Sequence, residues 1–317
     1  MNLMDNLQVV TPLWPSRPIS AALSAPVYLK MEAFQPSGSF KARGMGAACL
    51  AAKEAGATRV ACASGGNAGY AVAYAGQQLQ LDVTIIVPQT TPARSQELIQ
   101  STGAQLLVHG ASWDDAYAYA VMLAQETGAT NIHPFDDPQV WHGHASLVHE
   151  IAAVGIKPGA IVLSVGGGGL LCGVAEGLHS IGWDDVPIVA VETEGASSFA
   201  QSVQADRLIT LDRITSIATT LGARTVAQQA LVWTRHHPIE PWVISDRAAV
   251  DACLRFADDH RVLVEPACGA ALAAGYFRAP ALIDRDPVVI IVCGGVGVTR
   301  ELLQKWDDQV STENKRE

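Results

Sequence analysis

The sequence predicts an α/β protein of two units, each a parallel sheet covered by helices. Three observations carry this reading. Apolar runs of strand length alternate repeatedly with helical patterns. The strands are continuous Val/Ile rather than alternating, as sheets buried on both faces require. The pattern restarts after Asp137-Pro138, which places a seam near residue 136.

In order, Arg59 to Ala63 reads as a strand and Asn67 to Leu79 as a helix. Val83 to Val87 is a second strand, and Pro92 to Thr102 a helix opened by proline in its first turn. Gln105 to His109 is a third strand, followed by a helix from Ser112 to Thr127. Ser112 is its N-cap candidate, and Asp114 and Asp115 suit the positive end of the helix. Beyond the seam come a helix to Val154, a strand Ala160 to Val165, a helix from Leu170 and a strand Ile188 to Glu192. A long helix Asp246 to His260, an alanine-rich helix Ala267 to Tyr276 and a strand Val288 to Cys293 complete the pattern. The tail Ser311 to Glu317 reads as frayed.

At 317 residues the chain suits two domains, and 49% hydrophobic against 16% charged residues leaves ample material for their cores. Its 31 acidic and 21 basic residues give a net charge of −10, which disfavours nucleic acid and anionic membrane as partners. Cys49, Cys62, Cys172, Cys253, Cys268 and Cys293 are scattered without a Cys-x-x-Cys pair, which reads as reduced thiols in a cytoplasmic protein. The first residues carry neither a basic region nor an apolar one, so no signal peptide is expected. The uncharged run Gly159 to Ala175 holds four glycines and falls short of the ~20 apolar residues of a membrane span.

The chemistry gathers in a few loops. Lys41 lies in the turn-rich run Pro36 to Gly44, beside Phe40 and just before a helical pattern. A Schiff-base lysine needs a fixed position, and a phosphorylated cofactor needs bare N–H groups at a helix start. Gly166 to Gly169 sit between a strand and a helix and supply such a start. Ser64-Gly65-Gly66-Asn67-Ala68-Gly69 is a second strand-to-helix loop, suited to a carboxylate. Cys293-Gly294-Gly295 ends a predicted strand, where open α/β sheets place ligands. Leu171 and Cys172 stand where a dinucleotide fingerprint needs glycine or alanine, which weakens NAD, and no phosphate-loop lysine motif supports ATP. His142, His144 and His149 do not share one helical face, which argues against zinc, and His236-His237 reads as a solvated helix end.

Ser37-x-Ser39-Phe40-Lys41-x-Arg43-Gly44, the loop from Ser64 to Gly69, Gly166 to Gly169, Val264 to Ala270 and Cys293 to Gly295 occur in one order. Together they closely resemble the serine/threonine dehydratases, above all the short liver-type L-serine dehydratases. The resemblance spans Thr11 to Gly297. It implies the tryptophan-synthase-β-like fold (pyridoxal phosphate fold type II): two open twisted parallel-sheet domains with the cofactor in the cleft between them. Residues 1–35 and 137–317 would form the large domain and 36–136 the small one. Lys41 would hold pyridoxal 5'-phosphate as a Schiff base and move the substrate's Cα proton. Phe40 would pack on the pyridine ring, Asn67 bond its hydroxyl, and Gly166, Gly167, Gly168, Gly169 and Leu170 cradle the phosphate. Cys293 would face the ring nitrogen as a neutral thiol, which suits β-elimination. Ser64, Gly65, Gly66, Asn67 and Ala68 would clamp the substrate carboxylate. Glu192 with backbone oxygens of Ala196, Leu221 and Ala223 would hold a monovalent cation such as K+.

The implied activity is conversion of L-serine to pyruvate and ammonia, with slower deamination of L-threonine, in a homodimer. The preference between the two rests on pocket shape, because a methyl group is worth about 1–3 kcal/mol. The chain ends soon after Gly297, so a catabolic enzyme without a regulatory domain is expected. Gly65 departs from many relatives, serine racemases among them, whose serine there serves the opposite face of Cα; racemisation is therefore not expected. The rivals are a threonine-preferring dehydratase, a β-replacement enzyme such as a cysteine synthase, which Cys293 argues against, and a non-catalytic binding module.

Overall fold

Strands and helices alternate through residues 7–313, those that the computed structural model describes. The first half contains β1 (Leu13–Pro15), α1 (Arg17–Leu23), β2 (Val27–Lys30), α2 (Lys41–Glu54), β3 (Arg59–Ala63), α3 (Asn67–Leu79), β4 (Asp82–Val87), α4 (Ala93–Ser101), β5 (Gln105–Val108), α5 (Trp113–Thr127) and β6 (Thr130–Asn131). The second half contains α6 (Pro138–Ala153), β7 (Ala160–Ser164), α7 (Gly169–Ser180), β8 (Ile188–Thr193), α8 (Ser198–Ala205), α9 (Gln228–Trp233), β9 (Ile239–Ile244), α10 (Asp246–His260), α11 (Pro266–Tyr276), β10 (Val288–Ile291) and α12 (Arg300–Glu313).

Two sheets result. The larger runs β1-β2-β10-β7-β8-β9, and the smaller β5-β4-β3-β6. Every pairing is parallel except β1 with β2. β7, β8 and β10 are buried throughout, as continuous apolar strands between helical layers should be. The chain therefore starts in the large sheet, crosses to the small one for β3 to β6, and returns through α6.

Local signals explain many boundaries. Ser112 and Asp115 form a reciprocal capping box at α5. Asp137 caps α6 through the Gln139 N–H at 2.7 Å, with Pro138 at its first position. The strand expected from Val288 to Cys293 stops at Ile291, and the freed residues Val292 and Cys293 turn into the cleft. β9 escaped the sequence reading because Pro241 lies within it. As the edge of the sheet it pairs only with β8, and a missing N–H is tolerated there. The tail is helical rather than frayed as far as Glu313, and 314–317 lie outside the described residues.

Helices α2, α6 and α7 pack backbone to backbone through glycine. A Cβ on Gly143 would come within 2.8 Å of the Gly44 Cα, and one on Gly173 within 2.5 Å of the Trp141 carbonyl oxygen. Gly44, read from sequence as part of a loop motif, is thus a helix-crossing residue. Beside this crossing lies a buried charge network. Arg43 donates to Glu32 at 2.7 and 2.8 Å and to Glu150 at 2.6 and 2.8 Å, and Lys30 donates to Glu150 and to the Thr11 carbonyl.

Candidate active site

The run Ser37 to Phe40 is tied to the end of β10. The Phe40 N–H donates to the Cys293 carbonyl at 3.1 Å, the Gly295 N–H to the Gly38 carbonyl at 3.1 Å, and Ser39 bridges Gly294. Lys41 therefore opens α2 beside Cys293. Its Nζ donates to the Pro134 carbonyl at 2.5 Å, and burial pulls the amine down to about 8. A buried amine of lowered basicity is a usable nucleophile and base near neutral pH. A hydrogen bond from Cys268 and burial push the Cys293 thiol well up, so it stays neutral.

The glycine loop faces Lys41 across the segment His133 to Phe135. A Cβ on Gly167 would lie 2.2 Å from the Phe135 ring, and one on Gly166 3.1 Å from the Leu221 Cα. Only bare backbone fits. Gly168 caps α7 in the left-handed region at φ +88° without a side-chain cap, so the first-turn N–H groups of α7 remain available to an anion. The Ser64 loop likewise leads into α3 through Gly66, which brings no side-chain cap. Asn67 is held at both ends of its amide: Nδ2 donates to Glu265 at 2.7 Å, and Oδ1 accepts from the Val296 N–H at 3.0 Å.

Most residues expected from sequence thus converge on one cleft, and several unforeseen ones join them. Pro134 and Phe135 bridge Lys41 to the glycine loop, and Glu265 with Thr220 backs Asn67. His144 is buried under Phe40, ring centroids 4.9 Å apart, and neither of its nitrogens has a partner among the described residues. Burial, with the charges of Lys41 and Arg43, holds that imidazole well below its ordinary value, hence neutral. No local pattern marked these positions, because their roles come from neighbours far along the chain. The other histidines are dispersed: His142 bonds Glu176 and His149 bonds Ser180. His237 corrects the sequence reading, being buried against His179 rather than solvated. Glu192 is buried and accepts from the Phe199 and Ala200 N–H groups, and Ser198 donates to the Ala223 carbonyl.

Anion capture at α7 and carbonyl capture at Lys41 are the two demands of pyridoxal phosphate, and the cradle and the buried amine fit both; the fold and cleft thus define a lysine-anchored pyridoxal phosphate enzyme. The chain belongs to the family described as pyridoxal-phosphate dependent enzymes, which it matches over residues 5–294. It is 47% identical over 314 residues to the L-serine dehydratase/L-threonine deaminase of Mus musculus, covering 96% of each chain. A human serine dehydratase-like protein is 46% identical, over 95% of this chain and 94% of that one. Among solved structures, a fungal L-serine ammonia-lyase from Rhizomucor miehei superposes with a TM-score of 0.89 at 36% identity, over 95% of this chain and 98% of the other. Maize serine racemase follows at 0.88 and 28%, over 99% and 97%.

Proposed function

We propose that the chain is an L-serine ammonia-lyase that forms pyruvate and ammonia by β-elimination, with slower turnover of L-threonine to 2-oxobutanoate. The observation that carries this reading is the neutral thiol of Cys293 tied to the Lys41 turn. A neutral partner leaves the cofactor's ring nitrogen unprotonated and makes the ring a modest electron sink, which suits a reaction whose leaving group drains the developing charge. Bound pyridoxal phosphate supplies that sink and the carbonyl that engages the substrate amine. The protein supplies the rest. N–H groups of the Ser64 to Ala68 loop hold the carboxylate, Phe40 and Asn67 orient the ring, and Gly166 to Leu170 hold the phosphate. Lys41 Nζ takes the Cα proton, the β-hydroxyl departs, and the released enamine hydrolyses to pyruvate and ammonia. Glu192, which burial pushes up to about 7, together with the carbonyls of Ala196, Leu221 and Ala223, is the proposed cation site. A cytoplasmic homodimer acting in amino-acid catabolism completes the reading.

The test is a lysine-bound cofactor band that borohydride bleaches, together with pyruvate formed from L-serine. A band without pyruvate indicates a different β-reaction, and no band indicates a binding module.

Gly65 supplies a second expected result. Its φ is not positive, so the glycine is not there for backbone freedom. A Cβ would instead meet Thr91, 2.6 Å from both Cγ2 and Oγ1. Gly65→Ser alone is therefore expected to collide with Thr91 and lose L-serine turnover. Gly65→Ser with Thr91→Ala clears the space and restores a hydroxyl on the proposed face opposite Lys41, so the pair is expected to form D-serine. Chiral chromatography decides it: D-serine from the unmodified enzyme, or none from the double variant, refutes the one-faced mechanism.

A further inference from the structure

Glu265 is the buried acid of the cleft that the reaction scheme leaves unused. Four segments meet at its carboxylate. Oε1 accepts from Asn67 Nδ2 at 2.7 Å and from Thr220 Oγ1 at 2.8 Å. Thr220 in turn lies against the substrate loop, its Cγ2 3.6 Å from where a Gly66 Cβ would be. Gly295, just beyond Cys293, leaves the side chain its room, since a Cβ there would come within 2.7 Å of Glu265 Cγ. The main chain is anchored as well, the Glu265 carbonyl accepting from the Cys268 and Gly269 N–H groups and from the Cys253 thiol.

We propose that Glu265 is a positioning residue, a tie across the cleft that holds Asn67 and Thr220 on one carboxylate oxygen and so sets the orientation of the Asn67 amide toward the cofactor. The orientation follows from donors and acceptors. With Nδ2 on Glu265 and Oδ1 on the Val296 N–H, the amide cannot flip without setting two donors face to face. Its second Nδ2 hydrogen stays available as a donor. Ionised Glu265 fixes this arrangement, and protonation weakens its acceptor strength.

The site's own chemistry makes that proton exchangeable near neutral pH. Burial pushes the Glu265 carboxyl up to about 7, against the two hydrogen bonds that pull it down. The titratable groups facing it are the thiols of Cys253 on α10, Cys268 on α11 and Cys293 after β10; those of Cys253 and Cys293 are pushed well above their ordinary range. The inference rests on the proposed ammonia-lyase reading only for its kinetic readout.

The experiment titrates the absorption band of the pyridoxal-phosphate-loaded protein with pH, which needs no turnover, and follows kcat/KM for L-serine alongside. The unmodified enzyme is expected to show an inflection near pH 7 in both. Glu265→Gln keeps an acceptor for both donors and abolishes the inflection. Thr220→Val removes one donor that favours the charged form, and so moves the inflection upward. Glu265→Ala lowers kcat/KM about tenfold or more. Melting of the cofactor-free proteins adds a readout independent of loading. A carboxyl raised above its unfolded value of 4.5 costs stability progressively as pH rises from there to about 7. Glu192 acts with the same sign, so the difference between parent and Glu265→Gln is what is read, and the variant should lose less stability over that window. An unmoved inflection in Glu265→Gln or Thr220→Val overturns the proposal, as does its absence in the parent. Should L-serine not turn over at all, the reaction reading fails while the spectral titration still decides Glu265.

Discussion

Lys41→Ala is expected to give a folded, colourless protein with no L-serine turnover, kcat/KM falling by at least about 10⁴-fold. Two roles disappear together, anchoring the cofactor and moving the Cα proton, and a positioned base alone is worth about 10²–10⁴. The fold should not suffer. The ammonium is a cost to the native state, because burial takes it from 10.5 to about 8. The folded protein binds fewer protons than the unfolded one between those values, so stability rises with pH across that window and the full penalty applies below about 8. At about 1.36 kcal/mol per pKa unit the penalty at neutral pH is on the order of 3 kcal/mol, which offsets the apolar burial of the lysine stem that alanine cannot supply. The cofactor-free variant should therefore melt no lower than its parent at pH 7. Measured pyruvate formation by this variant would sink the mechanism.

The largest loss of stability is expected from Arg43→Leu. Arg43 and Glu32 are both fully buried, and the guanidinium serves Glu32 and Glu150 with its two faces. Deleting it leaves Glu32 with only the Thr11 hydroxyl at 2.6 Å and the Gln35 amide at 3.3 Å, and leaves Glu150 with Lys30. Removing one partner from a buried ion pair costs about 3–5 kcal/mol, because the remaining charge is stranded. For a chain of this size that is a fall in melting temperature on the order of 10 °C. Arg43→Lys should recover only part, since an ammonium cannot span both carboxylates as the planar fork does. Arg43→Leu with Glu32→Gln should recover more by removing the stranded charge. A calorimetric melt of Arg43→Leu close to that of the parent would show that the network contributes nothing. The effect should also reach activity, because Arg43 lies two residues beyond Lys41 in the first turn of α2.

Much of this architecture was legible in the residues alone. α3 and α10 run over the same residues that their apolar periodicity and turn punctuation predicted. The Ser112 cap, the uncapped glycine start of α7 and Lys41 beside Phe40 were likewise readable, since each depends on neighbours a few positions away. The chemistry of a lysine and a phosphate cradle follows from residue type and local spacing, and the motif order carried it to a cofactor and a reaction class.

What only the tertiary structure decided lies in contacts between distant segments. Glu265 meets Asn67 across 198 positions, and Arg43 meets Glu150 across 107. Nothing in the string separates Glu265 from the other acids, because its significance is the removal of water around it and the two donors aimed at one oxygen. Gly65 reads as a turn residue until Thr91 is found filling the space its side chain would take. β1 and β2 become part of the large sheet only because β10 returns beside β2. Local backbone preferences are set by near neighbours and are written residue by residue. Burial, pairing and the proton affinity of a buried acid are set by which distant residues exclude solvent, and the packed fold alone determines that.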